Sequence, residues 1–167
     1  TEDGMNDHKV QWVIDQAEQA YADGKYPILM MHHNLLDHMP IQGLLSKDFI
    51  VRNHISTAEK FANAGIKMVF TGHEHCSDAN TYTSSKGNQI TDFATTALTM
   101  YPLQYRIVEM SDEVINYDIA TIEKIEAEGK EYIIQRETWQ KFEYFWDEKT
   151  QTIRQNTVGT FTQIPLK

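Results

Sequence analysis

The stretch Met68-Val-Phe-Thr-Gly-His-Glu-His75 constrains this chain more than any other: a short apolar run ends on a glycine and then offers two histidines one residue apart. Residues 67–71 read as a buried strand. Gly72 lets the backbone turn where the strand stops, and His73 and His75 follow on extended chain with both rings on one side. Imidazole is the commonest side-chain ligand for transition metals at neutral pH, so the pattern reads as metal-binding. Two surface histidines in a hydrogen-bonded turn are the plainer alternative.

Upstream, Asn6 or Asp7 caps a helix in which Val10, Val13, Ile14, Ala17 and Tyr21 recur at helical spacing, and Gly24 supplies a left-handed stop. Pro27-Ile-Leu-Met-Met31 follows as a continuous apolar run, the signature of a strand buried on both faces, and ends at His32-His33-Asn34. Residues 35–51, with Pro40 and Gly43, read as a loop with a short helix. Residues 53–64 form a second helix with Ile55, Ala58, Phe61 and Ala62 on its packing side, closed by Gly65. Strand, helix and strand at this spacing make a right-handed βαβ unit, so the two strands are expected to be parallel neighbours. Both histidine clusters then follow carboxyl ends of strands, the edge where open α/β sheets bind ligands, and His32, His73 and His75 should converge. Adjacent residues leaving a strand face opposite sides. His32 is therefore taken as the metal ligand, and His33 as a residue that orients substrate or packs.

Beyond Cys76, residues 81–88 are polar and contain a Ser-Ser-Lys-Gly-Asn turn. Residues 89–93 and 105–110 read as strands, and a hairpin turn at 110–113 leads into an alternating strand over 114–122. Residues 137–149 carry Trp139, Phe142, Phe145 and Trp146 at helical spacing, which predicts a helix lying over the second sheet. His8, His38 and His54 read as surface histidines, Glu74 as solvent-facing, Cys76 as a small buried residue, and Asp92 as part of a polar strand end. No repeat or low-complexity segment interrupts the chain.

A chain of 167 residues with 41% hydrophobic residues can build a sizeable core, and 24 acidic against 15 basic residues argue against a nucleic-acid duplex as partner. No apolar run is long enough for a membrane span, so no membrane insertion is expected. The single cysteine excludes an internal disulfide and leaves a cytoplasmic and an exported location equally open. The chain starts at Thr1, as a trimmed or truncated piece would.

The pairing of Ile28-Leu-Met-Met-His-His-Asn34 with Phe70-Thr-Gly-His-Glu-His75 resembles the last two motifs of the calcineurin-like metallophosphoesterases, over residues 25–106. The resemblance implies a β-sandwich flanked by helices and two divalent metals (manganese, iron or zinc) about 3.5–4 Å apart, with a bridging hydroxide that attacks phosphorus. It also implies that His32 and His73 serve one metal and His75 the other. The family's amino-terminal motifs, Asp-x-His, Gly-Asp and Gly-Asn-His-Asp/Glu, are absent, and Asn6-Asp7-His8 lacks the glycine and strand of the last. The proline that commonly follows the paired histidines is also absent.

The expected fold is thus α/β (α+β): a parallel βαβ unit, antiparallel strands and a C-terminal helix, forming the later part of a metallophosphoesterase sandwich over 1–122 with a helical extension over 123–167. The expected parent reaction is hydrolysis of a phosphomonoester or phosphodiester, with a small molecule or nucleotide as substrate and His33 in the catalytic site. At most one metal is expected on this chain alone, together with a missing amino-terminal half and a tendency to self-associate. The rival is a non-catalytic binding or assembly module with a single structural ion.

Overall fold

The computed structural model describes residues 4–98, 102–111, 115–133, 141–147, 152–159 and 164–166. It is a mixed α/β chain that divides into two compact units, Thr1–Thr96 and Ala97–Lys167.

The first unit opens with helix α1 (Asp7–Ala22). Asn6 caps it, its side-chain oxygen accepting a hydrogen bond from the Lys9 amide, and Gly24 at φ +70° ends it in the left-handed region. Strand β1 (Leu29–Met30) is followed by the short α2 (Gln42–Leu45), α3 (His54–Asn63), β2 (Met68–Thr71), β3 (Asp78–Thr83) and β4 (Gln89–Ala94). One sheet runs in the order β1-β2-β4-β3, parallel for its first three strands and antiparallel where β3 meets β4. The expected parallel pairing is present, with Leu29 opposite Val69 and Met30 opposite Phe70. α3 packs against β3 and β4, and α1 packs against α3.

The core of this unit gathers Val10 and Ala17 of α1, Ala58, Phe61 and Ala62 of α3, and Ile66, Val69 and Ile90 of the sheet side. Leu35 and Leu36 of the long loop are buried in it too. Burying one such Leu or Phe side chain stabilises by about 1.5–3 kcal/mol, and hydrogen bonds from Tyr82 and Ser84 to Glu59 and Asn63 add polar ties between α3 and the hairpin of β3 and β4.

Three expectations shift here. β1 lies at a sheet edge rather than inside: only two residues pair, and Met30 is 77% exposed. Ile55 points outward from α3, and Thr57 takes its place on the buried face. The stretch 81–88, read only as polar with a turn, begins inside a strand, residues 78–83, because pairing with the central β4 supplies hydrogen bonds that composition does not advertise.

The second unit contains the expected hairpin, β5 (Gln104–Met110) with β6 (Ile115–Thr121), then β7 (Lys124–Ala127) and β8 (Lys130–Ile133) joined by a turn at Glu128 and Gly129. Leu103 is buried here against Ile122 and Ile125. β9 (Lys141–Asp147) pairs antiparallel with β10 (Thr152–Gly159), and β11 (Ile164–Leu166) pairs with β8. The helix expected over 137–149 is therefore overturned for residues 141–147, and the 123–167 extension is stranded in its described parts. Phe142, Tyr144 and Trp146 also alternate, and aromatic residues favour strands once a partner strand is present. Residues 137–140 and 148–149 lie outside the described residues, as do residues 112 and 113 of the expected turn at 110–113.

Candidate metal centre

The carboxyl ends of β1, β2 and β4 meet at one sheet edge, and backbone hydrogen bonds continue past the strands there. The Met31 amide donates to the Phe70 carbonyl at 3.0 Å, the Gly72 amide to the His32 carbonyl at 3.1 Å, and the Thr95 amide to the Thr71 carbonyl at 3.2 Å. This zipping carries both histidine clusters to one place. The ring centroid of His73 lies 4.5 Å from that of His32, 4.8 Å from that of His33 and 4.5 Å from that of Phe49.

Both His32 and His33 thus touch His73, although strand alternation assigned them to opposite sides. The strand has already ended at Met30, and residues 32 and 33 sit in a bend where alternation no longer governs direction. The His-x-His segment also departs from the extended backbone expected of it. His73 and His75 occupy the left-handed region at φ +65° and +54°, with the Glu74 amide donating to the Gly72 carbonyl at 2.7 Å. Left-handed backbone at a residue with a Cβ costs about 1–3 kcal/mol, and it persists where surrounding contacts hold it. His75 is exposed, and its charge is felt by His73.

Beneath the rings lies a polar network that sequence reasoning missed. Asn34 is fully buried; its amide nitrogen donates to Thr71 Oγ1 at 2.8 Å and to the Gly72 carbonyl at 3.2 Å. Gln42, also fully buried, donates to Asn34 Oδ1 at 2.9 Å, and its Oε1 accepts from the His38 amide at 2.6 Å. Asp92 is wholly enclosed: one carboxylate oxygen accepts from the amides of Leu35 and Leu36 at 2.7 and 2.9 Å, the other from Thr71 Oγ1 at 2.6 Å. Asn34 adjoins His33 and Gly72 adjoins His73, so the Asn34 amide ties the two histidine segments together directly. One signal was available: Asp92 stands in the apolar strand Ile90-Thr-Asp-Phe-Ala94, where a carboxylate is tolerated only if donors meet it.

His38 is corrected from a surface histidine to an enclosed one. Its Nδ1 sits 2.9 Å from Asp78 and its Nε2 3.2 Å from Asp92, the latter off line for a hydrogen bond. Burial works against its charge, but Asp92 and then Asp78 outweigh burial and raise its pKa. His54 is half-buried, with Nδ1 3.1 Å from the Val51 carbonyl, while His8 is exposed as expected. Glu74 is half-buried instead of solvent-facing: Gln42 approaches it at 3.4 Å, and burial raises its pKa against the opposing charge of His38.

Burial lowers the pKa of His33 and of His73, and in each case His32 lowers it further. Both imidazoles are therefore favoured in the neutral, lone-pair-bearing form that ligates metals. Burial, then Glu74 and Asp78, push the Cys76 thiol up to about 11, away from the thiolate a metal would want. The donor types suit a transition metal. Their arrangement is another matter: among the described residues, no three His, Cys, Asp or Glu side chains are placed to hold a metal ion. The rings pack edge to face or tilted against one another instead of converging on a point.

No protein-family model matches the chain, and no curated protein matches it.

Proposed function

We propose that this chain carries the later metal-ligand motifs of a calcineurin-like metallophosphoesterase, whose full-length form hydrolyses phosphomonoesters or phosphodiesters. The observation that supports this reading best is the packing of His32, His33 and His73 at the carboxyl edge of a parallel βαβ unit, with His73 and the nearby His75 both held in left-handed backbone. Strained backbone next to clustered ligand-type side chains is more common at functional sites than in plain turns.

On this reading His32 and His73 hold one metal and His75 reaches toward a second. A bound divalent ion supplies Lewis acidity and a hydroxide at neutral pH. Within the chain, His33 orients the substrate beside His73, Phe49 packs against the His73 ring, and the Asn34–Thr71–Asp92 network fixes the two histidine segments against each other. Neutral imidazoles bring no negative charge with which to hold two dications, so the bridging carboxylates belong to preceding sequence in the parent.

Two measurements test the proposal. Zinc or manganese titration of the chain alone should give at most one ion, released by mild chelator, with negligible hydrolysis of a chromogenic phosphodiester. A longer protein that includes preceding sequence should turn over substrate and lose that activity on His73→Ala. Full activity of the longer His73→Ala protein would sink the assignment, and vigorous metal-dependent hydrolysis by these 167 residues alone would show that the ligand set is wrong.

A further inference from the structure

A cleft of about 480 Å³ opens beside the histidine cluster, lined by Lys9, Lys47 and Arg52 together with His32 and His33. Asp48 is the carboxylate among its described lining residues, so three full positive charges face one negative in a chain whose net charge is -9. None of the three cations enters an ion pair among the described residues; the lysines that do are Lys25, Lys60 and Lys124. Like charges left unpaired in one concavity repel each other, and an anion between them relieves that repulsion.

The cleft is held by backbone that is tied down. The Met5 amide donates to Asn53 Oδ1 at 3.0 Å and Asn53 Nδ2 donates to the Met5 carbonyl at 2.7 Å, a clasp that fixes the approach to α1 against the segment bearing Arg52. Lys60 of α3 pairs with Asp7 of α1 at 3.0 Å and holds the helix start that carries Lys9. The Val51 amide donates to the Asn34 carbonyl at 3.0 Å, locking the Lys47–Arg52 segment beside His33. Ile50 and Val51 are buried in the wall, and such apolar lining strengthens any charge contact made there. The volume falls within the roughly 300–1,000 Å³ of small-molecule sites.

We propose that this cleft is a phosphate subsite that holds a second phosphate group of a ligand whose first phosphate lies at the histidine cluster. The chain's substrates are then bisphosphates or diphosphates, ligands with two phosphate groups a few bonds apart. What this says about substrates rests on the phosphoesterase reading; the phosphate subsite itself does not.

The test uses the intact chain with metal removed by chelator, and inorganic pyrophosphate and inorganic phosphate as probes in calorimetry and amide chemical-shift titrations. Pyrophosphate should bind saturably at one site and more tightly than phosphate, shift the amides of residues 9, 47 and 52, and weaken as salt is raised. Lys9→Gln/Lys47→Gln/Arg52→Gln should weaken it roughly tenfold or more, the loss expected from removing charge-assisted contacts. The three single variants should each weaken it by less. Lys86→Gln/Lys130→Gln, which removes charge elsewhere, should leave it unchanged. Absence of saturable binding, equal binding by the triple variant, or an equal loss in the remote variant would each overturn the proposal. Because metal is absent and no turnover is read, these outcomes are independent of the hydrolysis assays that test the phosphoesterase reading.

Discussion

Replacing Asp92 by alanine should be among the most damaging single changes in the first unit, and the structure allows its size to be worked out. The carboxylate accepts from two backbone amides, those of Leu35 and Leu36, and from the Thr71 hydroxyl, all in a place closed to solvent. Each buried donor left without a partner costs about 1–3 kcal/mol. The sum has an upper bound of about 9 kcal/mol, but the Thr71 hydroxyl can rotate and water can enter the space vacated by the carboxylate. An expected loss of about 3–5 kcal/mol follows, which also matches the effect of breaking a buried charged pair such as Asp92 with His38. At about 2–4 °C per kcal/mol for a chain of this size, the melting temperature should fall by roughly 6–20 °C. Asp92→Asn keeps one acceptor and the side-chain shape, and should lose about half as much. Urea unfolding followed by far-ultraviolet circular dichroism gives both values. If Asp92→Ala unfolds within about 1 kcal/mol of the parent chain, the network does not hold the histidine segments in the way described.

Stability should depend on His38: its folded pKa is raised above the ordinary 6.5, so its contribution is fully present below pH 6.5 and is lost as pH rises through the folded value. His38→Gln should flatten that part of the urea-midpoint profile; a profile unchanged by the substitution would show that Asp92 and Asp78 do not stabilise the charged ring. Glu59 behaves in the opposite sense, because hydrogen bonds from Ser85 and then Tyr82 hold its pKa down to about 2. Its contribution is present above the ordinary 4.5 and fades as pH falls toward 2, so Glu59→Gln should lower the midpoint at neutral pH and flatten the fall on the acid side. Gly65→Ala should destabilise by about 1–2 kcal/mol, since φ is +84° and a Cβ would press on the Tyr21 ring at 3.1 Å; Gly24→Ala, with open space around it, should show the backbone strain alone. Finally, Met30 stands 77% exposed on edge strand β1 beside the half-exposed Ile28, so concentrated protein should self-associate and Met30→Lys should reduce that in sedimentation. Monomeric behaviour of the parent chain at high concentration would remove the argument.

Local signals in this sequence settled local structure. Asn6, Gly24 and Gly65 mark ends of α1 and α3 because caps and left-handed stops act through a residue's own backbone and its nearest amides. The apolar runs before His32 and before Gly72 located two strands, and their separation by a helix was enough to make them parallel neighbours, since chain handedness leaves few other connections. Which residues hold the histidine edge together was a different kind of fact. Asn34, Gln42, Thr71 and Asp92 are far apart in sequence and ordinary in composition, and become a network only when β2, β4 and the loop between β1 and α3 are brought side by side. The enclosure of His38, the left-handed turns at His73 and His75, and the gathering of Lys9 with Lys47 and Arg52 are likewise products of packing. The aromatic segment at 141–147 shows the same division: its spacing satisfied a helix and a strand at once, and the pairing with β10 decided between them, because a strand's stability comes from the neighbour across the ladder and not from the residues within it.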